Sequence, residues 1–250
     1  MMRRLLPTSF SPPLAALALC CALLAALVVL PARWLLLVQP DDAMAALADA
    51  DGTVWRGSAR VALGPPGARR LLPEPLRWQW RDGALEISHA WLRGPVRVQP
   101  RWSGIAVSGQ NLRLPAATLA AFGAPLNTVA PGGQIEIDWQ PFVPGRLSAD
   151  GALATARWTN ASSALSHVRP LGDYTLHITA DQGTLRLTLG TDSGVLSVTG
   201  QGQLRRGRLR LRGEAAPADN ATPPQRAALA GLLSALGPVS NGKTHFSTPP

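Results

Sequence analysis

Residues 183–202 read GTLRLTLGTDSGVLSVTGQG. Two runs with leucine or valine at every second position flank Asp192-Ser193-Gly194. Period-two alternation is the mark of a half-buried strand, whose successive side chains point to opposite faces. A D-S-G between such runs has two readings. It resembles the catalytic loop of an aspartic protease, and it resembles an ordinary junction between antiparallel strands.

The same alternation recurs outward from this stretch in both directions. Trp78 and Trp80 alternate with polar residues, Asp82-Gly83 gives a hairpin signal, and Leu85 and Ile87 follow. Val96/Val98, Ile105/Val107, Leu112/Leu114 and Ile135/Ile137/Trp139 continue the pattern, as do Leu176/Ile178, Leu185/Leu187/Leu189, Leu196/Val198 and Leu209/Leu211. With 24 Gly and 23 Pro to punctuate it, the body reads as an antiparallel β-meander. Helical patterns are confined to Pro115–Phe122 and Pro223–Leu236, with a polar helical bridge expected over Asp41–Ala50.

An offset of 100 residues superposes the two halves. Leu76, Trp78, Gly83, Leu85 and Ile87 fall on Leu176, Ile178, Gly183, Leu185 and Leu187; Gly94, Val96 and Val98 fall on Gly194, Leu196 and Val198. Each half ends on a similar sequence, LAAFG (119–123) and LSALG (233–237). This predicts two related modules, about 52–130 and 131–237, followed by a flexible tail, 238–250. The repeat also bears on Asp192. An aspartic protease brings two carboxylates together from two lobes, but the equivalent stretch of the first half is Leu92-Arg93-Gly94, without an acid. Asp192 is therefore expected to be a turn residue, the remaining alternative being a homodimer that brings two copies of it together.

Other chemistry is sparse. His89, His167, His177 and His245 are scattered without metal-ligand spacing, and no nucleotide-binding or serine-nucleophile motif is present. No catalytic, cofactor-binding or metal-binding residue is predicted. The most distinctive polar stretch is LRRGRLRLRG (204–213). Period two sets Leu209 and Leu211 on one face, and Arg206, Arg208, Arg210 and Arg212 on the other. Such a row suits an acidic partner or lipid headgroups; the plainer alternative is a solvated strand whose charge discourages edge-to-edge aggregation. Trp78, Trp80, Trp139 and Trp158 are expected to fill a core between sheet and helix, the other option being an apolar groove for an acyl chain.

The N-terminus differs from all this. After a basic, acid-free opening (1–13), Leu14 to Leu30 is apolar or Cys throughout, and Leu35 to Val38 resumes the run after Pro31, Arg33 and Trp34. As one helix, Leu14 to Val38 would span about 37 Å, enough to cross a bilayer. Arg33 and Trp34 suit its interfacial end. A cleaved secretory signal is the rival reading, opposed by the length of the apolar core and the lack of a nearby small-x-small site. Arg3 and Arg4 place the N-terminus in the cytoplasm and residues 39–250 outside it. Hence the formal charge of +9 does not point to nucleic acid. Both cysteines, Cys20 and Cys21, lie in the apolar run, so the body has no disulfide or thiolate site.

These features together resemble type II secretion system protein N: an N-terminal anchor, then GTVWRGSARVAL (52–63), LRWQW (76–80), GGQIEIDW (132–139), RPLGDYTLHI (169–178), GTLRLTLGTDSGVLSVTGQG (183–202) and a helix ending LSALG. The resemblance runs from the anchor to about Gly237. The insert GPPGARRLLPEP (64–75) and the tail NGKTHFSTPP (241–250) carry no part of it. It implies a bitopic inner-membrane component of the Gram-negative general secretion pathway, without enzymatic activity or cofactor. Its periplasmic β domain would bind other secretion subunits, in the inner-membrane platform or the outer-membrane secretin. A membrane-anchored lipid-handling protein with an apolar β groove is the alternative.

Overall fold

The computed structural model describes residues 12–123, 126–145, 151–181, 184–205, 208–240 and 242–247. Short alternating runs become strands, and each strand pairs antiparallel with its neighbour in sequence, as a meander requires. The first sheet comprises β1 (Ala45–Gly52), β2 (Arg56–Leu63), β3 (Arg70–Arg81), β4 (Ala84–Ser88), β5 (Val96–Arg101) and β6 (Gly104–Val107), paired in that order. The second comprises β7 (Gln110–Pro115), β8 (Gly132–Trp139), β9 (Gly151–Ser162), β10 (Gly172–Asp181), β11 (Thr184–Gly194), β12 (Leu196–Arg205), β13 (Arg208–Pro217), β14 (Val239–Ser240) and β15 (Lys243–Ser247). There β7 to β13 pair in sequence, β15 adds to β13, and β14 forms the outer edge. The fold is mainly β, in two antiparallel sheets.

The 100-residue offset is written into the pairing. Trp78 faces Ile87 and Trp80 faces Leu85; Ile178 faces Leu187 and Ala180 faces Leu185. The next hairpin departs from it: Leu85 pairs with Val98, but Leu185 pairs with Leu204 where the offset would require Val198. Sheets change between Val107 and Gln110, ahead of the division expected near 130. The strand β7 therefore pairs with β8, and it carries a 3-10 helix (Ala116–Phe122) where the α-helical pattern was read. Two isolated bridges, Leu92 to Leu112 and Val107 to Phe142, join the sheets.

Three expectations about the chain's ends are corrected. A single helix from Leu14 to Val38 does not form. Helix α1 (Pro12–Val28) stops short, Pro31 bridges to Thr53, and a four-residue helix α2 (Trp34–Leu37) follows. Pro31 has no N–H for a continuing helix and disfavours helical geometry at the residue before it. Ala32, only 1% exposed, is drawn into the core of the first sheet with Ala59 and Trp78. No helix among the described residues is long and apolar enough to cross a membrane.

The Asp41–Ala50 stretch forms no helix. Its C-terminal part is β1, because pairing with β2 and packing of Leu47 on the Trp78 core outweigh the helix propensity of its alanines. The tail is also ordered over Lys243–Ser247. There β15 pairs with β13, Thr244 is 0% exposed and Phe246 packs on the core of the second sheet.

That second core forms where α4 (Pro223–Leu236) lies across the apolar face of the sheet. Its Leu229, Leu232 and Leu233 pack on Leu171, Leu196 and Ala215. Pro223 and Pro224 begin the helix, and Gln225 Oε1 accepts the Thr222 N–H at 2.8 Å. With α4 on one face, the opposite face is left to water and carries the polar alternates.

Candidate functional site

Arg210 and Arg212 of the expected row fall on that open face. Arg206 lies outside the described residues, and Arg208 begins β13. Arg210 and Arg212 are exposed, opposite Gln203 and Gln201 of β12. One strand further, Arg186 of β11 stands opposite Gln203, and Thr188 opposite Gln201. Arg186, Arg210 and Arg212 thus line one shallow concavity of about 450 Å³ with the two glutamines between them.

Arg186 is held by Asp181, Nη2 to Oδ2 at 2.7 Å. Neither Arg210 nor Arg212 has an ion pair among the described residues. The sequence reading missed Arg186. It shares the parity of Thr188 against Leu185 and Leu187, but only the strand register places it beside Arg210 and Arg212.

Further along β13 the sign changes. Lys243 Nζ donates to Glu214 Oε2 at 2.9 Å, and His245 Nδ1 stands 3.7 Å from Glu214 Oε1. The Lys243 hydrogen bond, then its charge, hold the Glu214 carboxyl below the ordinary carboxylate value. At the other end of the same face, Asn111 Nδ2 donates to Glu136 Oε1 at 2.8 Å and to Asp138 Oδ1 at 2.9 Å, with Arg113 Nη2 3.3 Å from Glu136 Oε2. The Asn111 hydrogen bond leads in lowering the Glu136 pKa. On this face Arg210 and Arg212 carry charge without an ion pair among the described residues, as do Arg205 of β12 and Arg157 of β9.

Asp192 sits at the irregularity in the β10–β11 pairing. It is the extra residue of a bulge, since Asp173 pairs with Ser193 and Tyr174 with Thr191, and its Oδ2 accepts the Thr175 hydroxyl at 2.5 Å. Gly194, with φ +125°, brings its α-carbon against Gly172; a β-carbon there would lie 2.3 Å from the Gly172 α-carbon. The D-S-G stretch is built to pass strands closely. No metal-binding group of His, Cys, Asp or Glu occurs among the described residues.

The apolar face holds a cavity of about 170 Å³ under α4, walled by Val129, Trp158, Leu171, Tyr174, Leu196 and Phe246 among others. The polar atoms of Trp158 and Tyr174 turn away from it. Trp158 Nε1 donates to Gly132 O at 2.9 Å and the Tyr174 hydroxyl to Leu196 O at 3.0 Å. Burial, with the charge of Asp173 adding, pushes the Tyr174 phenol far above its ordinary range. The expected tryptophans divide. Trp158 lines this cavity, Trp78 is buried in the first sheet, Trp139 donates to Ser108 O at 2.9 Å, and Trp80 is exposed against Trp55. A cavity of this size is comparable to engineered ones that take a benzene-sized guest.

The mainly β, antiparallel body is the one expected from the sequence, whereas the apolar N-terminal helix is shorter than the membrane-spanning helix expected. The profile of one family, described as type II secretion system (T2SS), protein N, matches residues 43–247. The chain belongs to that family. The match with T2SS protein N begins beyond α1 and α2. It spans 64–75 and runs past Gly237 through β15, both of which the sequence reading had left outside the resemblance. Membership makes the chain a component of the type II secretion machinery. No match was found among curated proteins or solved structures.

Proposed function

We propose that this protein is a non-enzymatic, single-pass inner-membrane component of the type II secretion machine whose periplasmic β body binds other secretion subunits. The observation that carries this reading is the pair Arg210 and Arg212. They stand on the polar sheet face, within an open concavity and without an acidic partner among the described residues. Such groups meet an acidic counterpart on a partner, giving specificity and faster encounter more than raw affinity. Partners in the inner-membrane platform or the outer-membrane secretin both fit a body anchored by α1. Strand addition supplies a second contact mode, since β6 leaves its outer side unpaired among the described residues except at the Val107–Phe142 bridge. The N-terminal segment enters the membrane from the cytoplasm, and its exposed Leu17, Leu19, Leu23 and Leu24 face lipid. The acyl-groove alternative is disfavoured by α4, which occupies the apolar face and leaves room only for a small guest.

The test is in-cell photo-crosslinking from Gln201 and Thr188, which line the same concavity. Adducts to a secretion subunit that disappear when Arg210 and Arg212 are both changed to Glu, with loss of export, are expected. Lipid adducts alone, from a chain at normal level, would overturn the reading.

A further inference from the structure

Helix α1 is joined to the first sheet rigidly. Trp55 Nε1 donates to Leu27 O at 2.8 Å, Val54 N to Leu30 O at 3.0 Å, and Ala32 N to Gly52 O at 2.9 Å. These bonds tie the last turn of the helix, and the residues after it, to the turn between β1 and β2. Around this root is a set of side chains that the binding role does not use.

Trp80 meets Trp55 edge to face, ring centroids 6.3 Å apart, and Trp80 N donates to Trp55 O at 2.7 Å. Helix α2, two residues beyond Ala32, splits its side chains. Leu35 packs into the core of the first sheet, while Trp34 is exposed and Leu37 and Val38 stand 79% and 81% exposed. Leaving such groups in water is unfavourable in proportion to their apolar area.

Each exposed tryptophan of the root has an arginine beside it in the chain: Arg33-Trp34, Trp55-Arg56 and Trp80-Arg81, with all three arginines exposed. Arg56 and Arg81 open, with Arg77, onto one concavity of about 670 Å³ that also meets Asp51 and Glu86. The acids there are engaged elsewhere. Asp51 Oδ1 accepts the Gly52 N–H at 2.8 Å, and Glu86 takes Gln79 Nε2 at 3.2 Å and Arg97 Nε at 3.5 Å. None of Arg33, Arg56, Arg77 and Arg81 has an ion pair among the described residues.

We propose that this collar is a membrane-surface contact. Trp34, Leu37, Val38, Trp55 and Trp80 lie at the headgroup–acyl boundary of the bilayer that α1 enters, and Arg33, Arg56 and Arg81 bind phosphates of anionic phospholipids. The chemistry is complementary on both counts. Indole has an apolar body and one polar N–H, which suits the interface, and a guanidinium binds phosphate through two parallel donors. The inference rests on the membrane-anchored reading above and adds what that reading lacks: the collar lays the end of the first sheet on the bilayer.

The experiment uses the full chain with Cys20→Ala and Cys21→Ala and a single environment-sensitive fluorophore. The label is placed through Leu37→Cys, Trp55→Cys, Trp80→Cys or, as control, Trp102→Cys at the exposed β5–β6 turn. Each variant is reconstituted into phosphatidylcholine vesicles with or without phosphatidylglycerol. The expected result is a blue-shifted emission at 37, 55 and 80 that headgroup-labelled lipid quenches several-fold more than emission at 102. Phosphatidylglycerol deepens this, and salt or the combined Arg33→Gln, Arg56→Gln, Arg81→Gln changes remove that gain.

Position 37 decides if labels at 55 or 80 disturb folding, because its side chain touches the core least. A chain that floats with vesicles but keeps its label at 37 in water overturns the collar and leaves the anchor intact. A chain that does not float overturns the anchor, and the collar with it. Quenching indifferent to phosphatidylglycerol overturns the role of the arginines.

Discussion

Phe246 crosses β13 over Gly213, where a β-carbon would lie 2.2 Å from the ring and 2.4 Å from the Thr199 carbonyl oxygen. Gly213→Ala therefore forces the ring or the backbone to shift, and a loss of about 1–3 kcal/mol is expected in urea unfolding. Gly190, on β11 of the same sheet, has nothing within 4 Å of a built β-carbon. Gly190→Ala should leave the urea midpoint unchanged or raise it slightly by restricting the unfolded chain. A second residue-scale expectation concerns acid. Glu136 has a lower pKa folded than unfolded, chiefly through the Asn111 hydrogen bond. Its contribution to stability is thus present above the ordinary carboxylate value and is lost as pH falls through the lowered one. Asn111→Ala should move the Glu136 carboxyl upward in an NMR titration and flatten that part of the acid limb. Asp192 was expected in a turn, but it is the extra residue of a bulge within β11, a one-residue slip that leaves no mark on period-two alternation. The place of Phe246 was not legible either, since five residues at the end of a Pro- and Gly-rich tail carry too little pattern to separate a strand from a loop.

Among elements, α4 and the hairpin at Asp82-Gly83 were readable from local chemistry alone. Asp82 and Gly83 both take positive φ, 50° and 70°, as the tight turn demands. The strand β1 and the end of α1 were not readable, because each is decided by pairing and not by its own pattern: with β2 for the alanine-rich stretch, and with Thr53 for Pro31. Register divides in the same way. The 100-residue offset predicts the β3–β4 and β10–β11 pairs, whereas the slip to Leu185–Leu204 depends on how β11 and β12 lengthen past their first-sheet counterparts. The seat of α4 gives a prediction at this scale. Leu229 is fully buried between the helix and the sheet, so Leu229→Ala should cost about 2–5 kcal/mol by thermal or urea unfolding. The variant should keep its β-sheet circular dichroism below the transition, because the meander pairing does not pass through α4.

At the scale of the whole molecule, the sequence identified the class of machine and the alternation that sets Arg210 and Arg212 on one side of β13. It did not identify the surface that pair shares with Arg186, which exists only once three strands are in register. The uncompensated charge has a measurable consequence. Association of the detergent-solubilised chain with a secretion partner should weaken as salt rises, mainly through a slower on-rate, and Arg210→Gln with Arg212→Gln should remove most of that salt dependence. Surface plasmon resonance over a salt series separates the two rates.

The bonds at the root of α1 have a mechanical meaning as well. No freely jointed residue separates the last turn of the helix from the β1–β2 turn, for the indole of Trp55 and the backbones of Val54 and Ala32 span the gap. Helix and sheet then turn as one crank. A neighbour that tilts the helix swings the first sheet through the same angle, and a pull on the sheet is felt as torque at the helix.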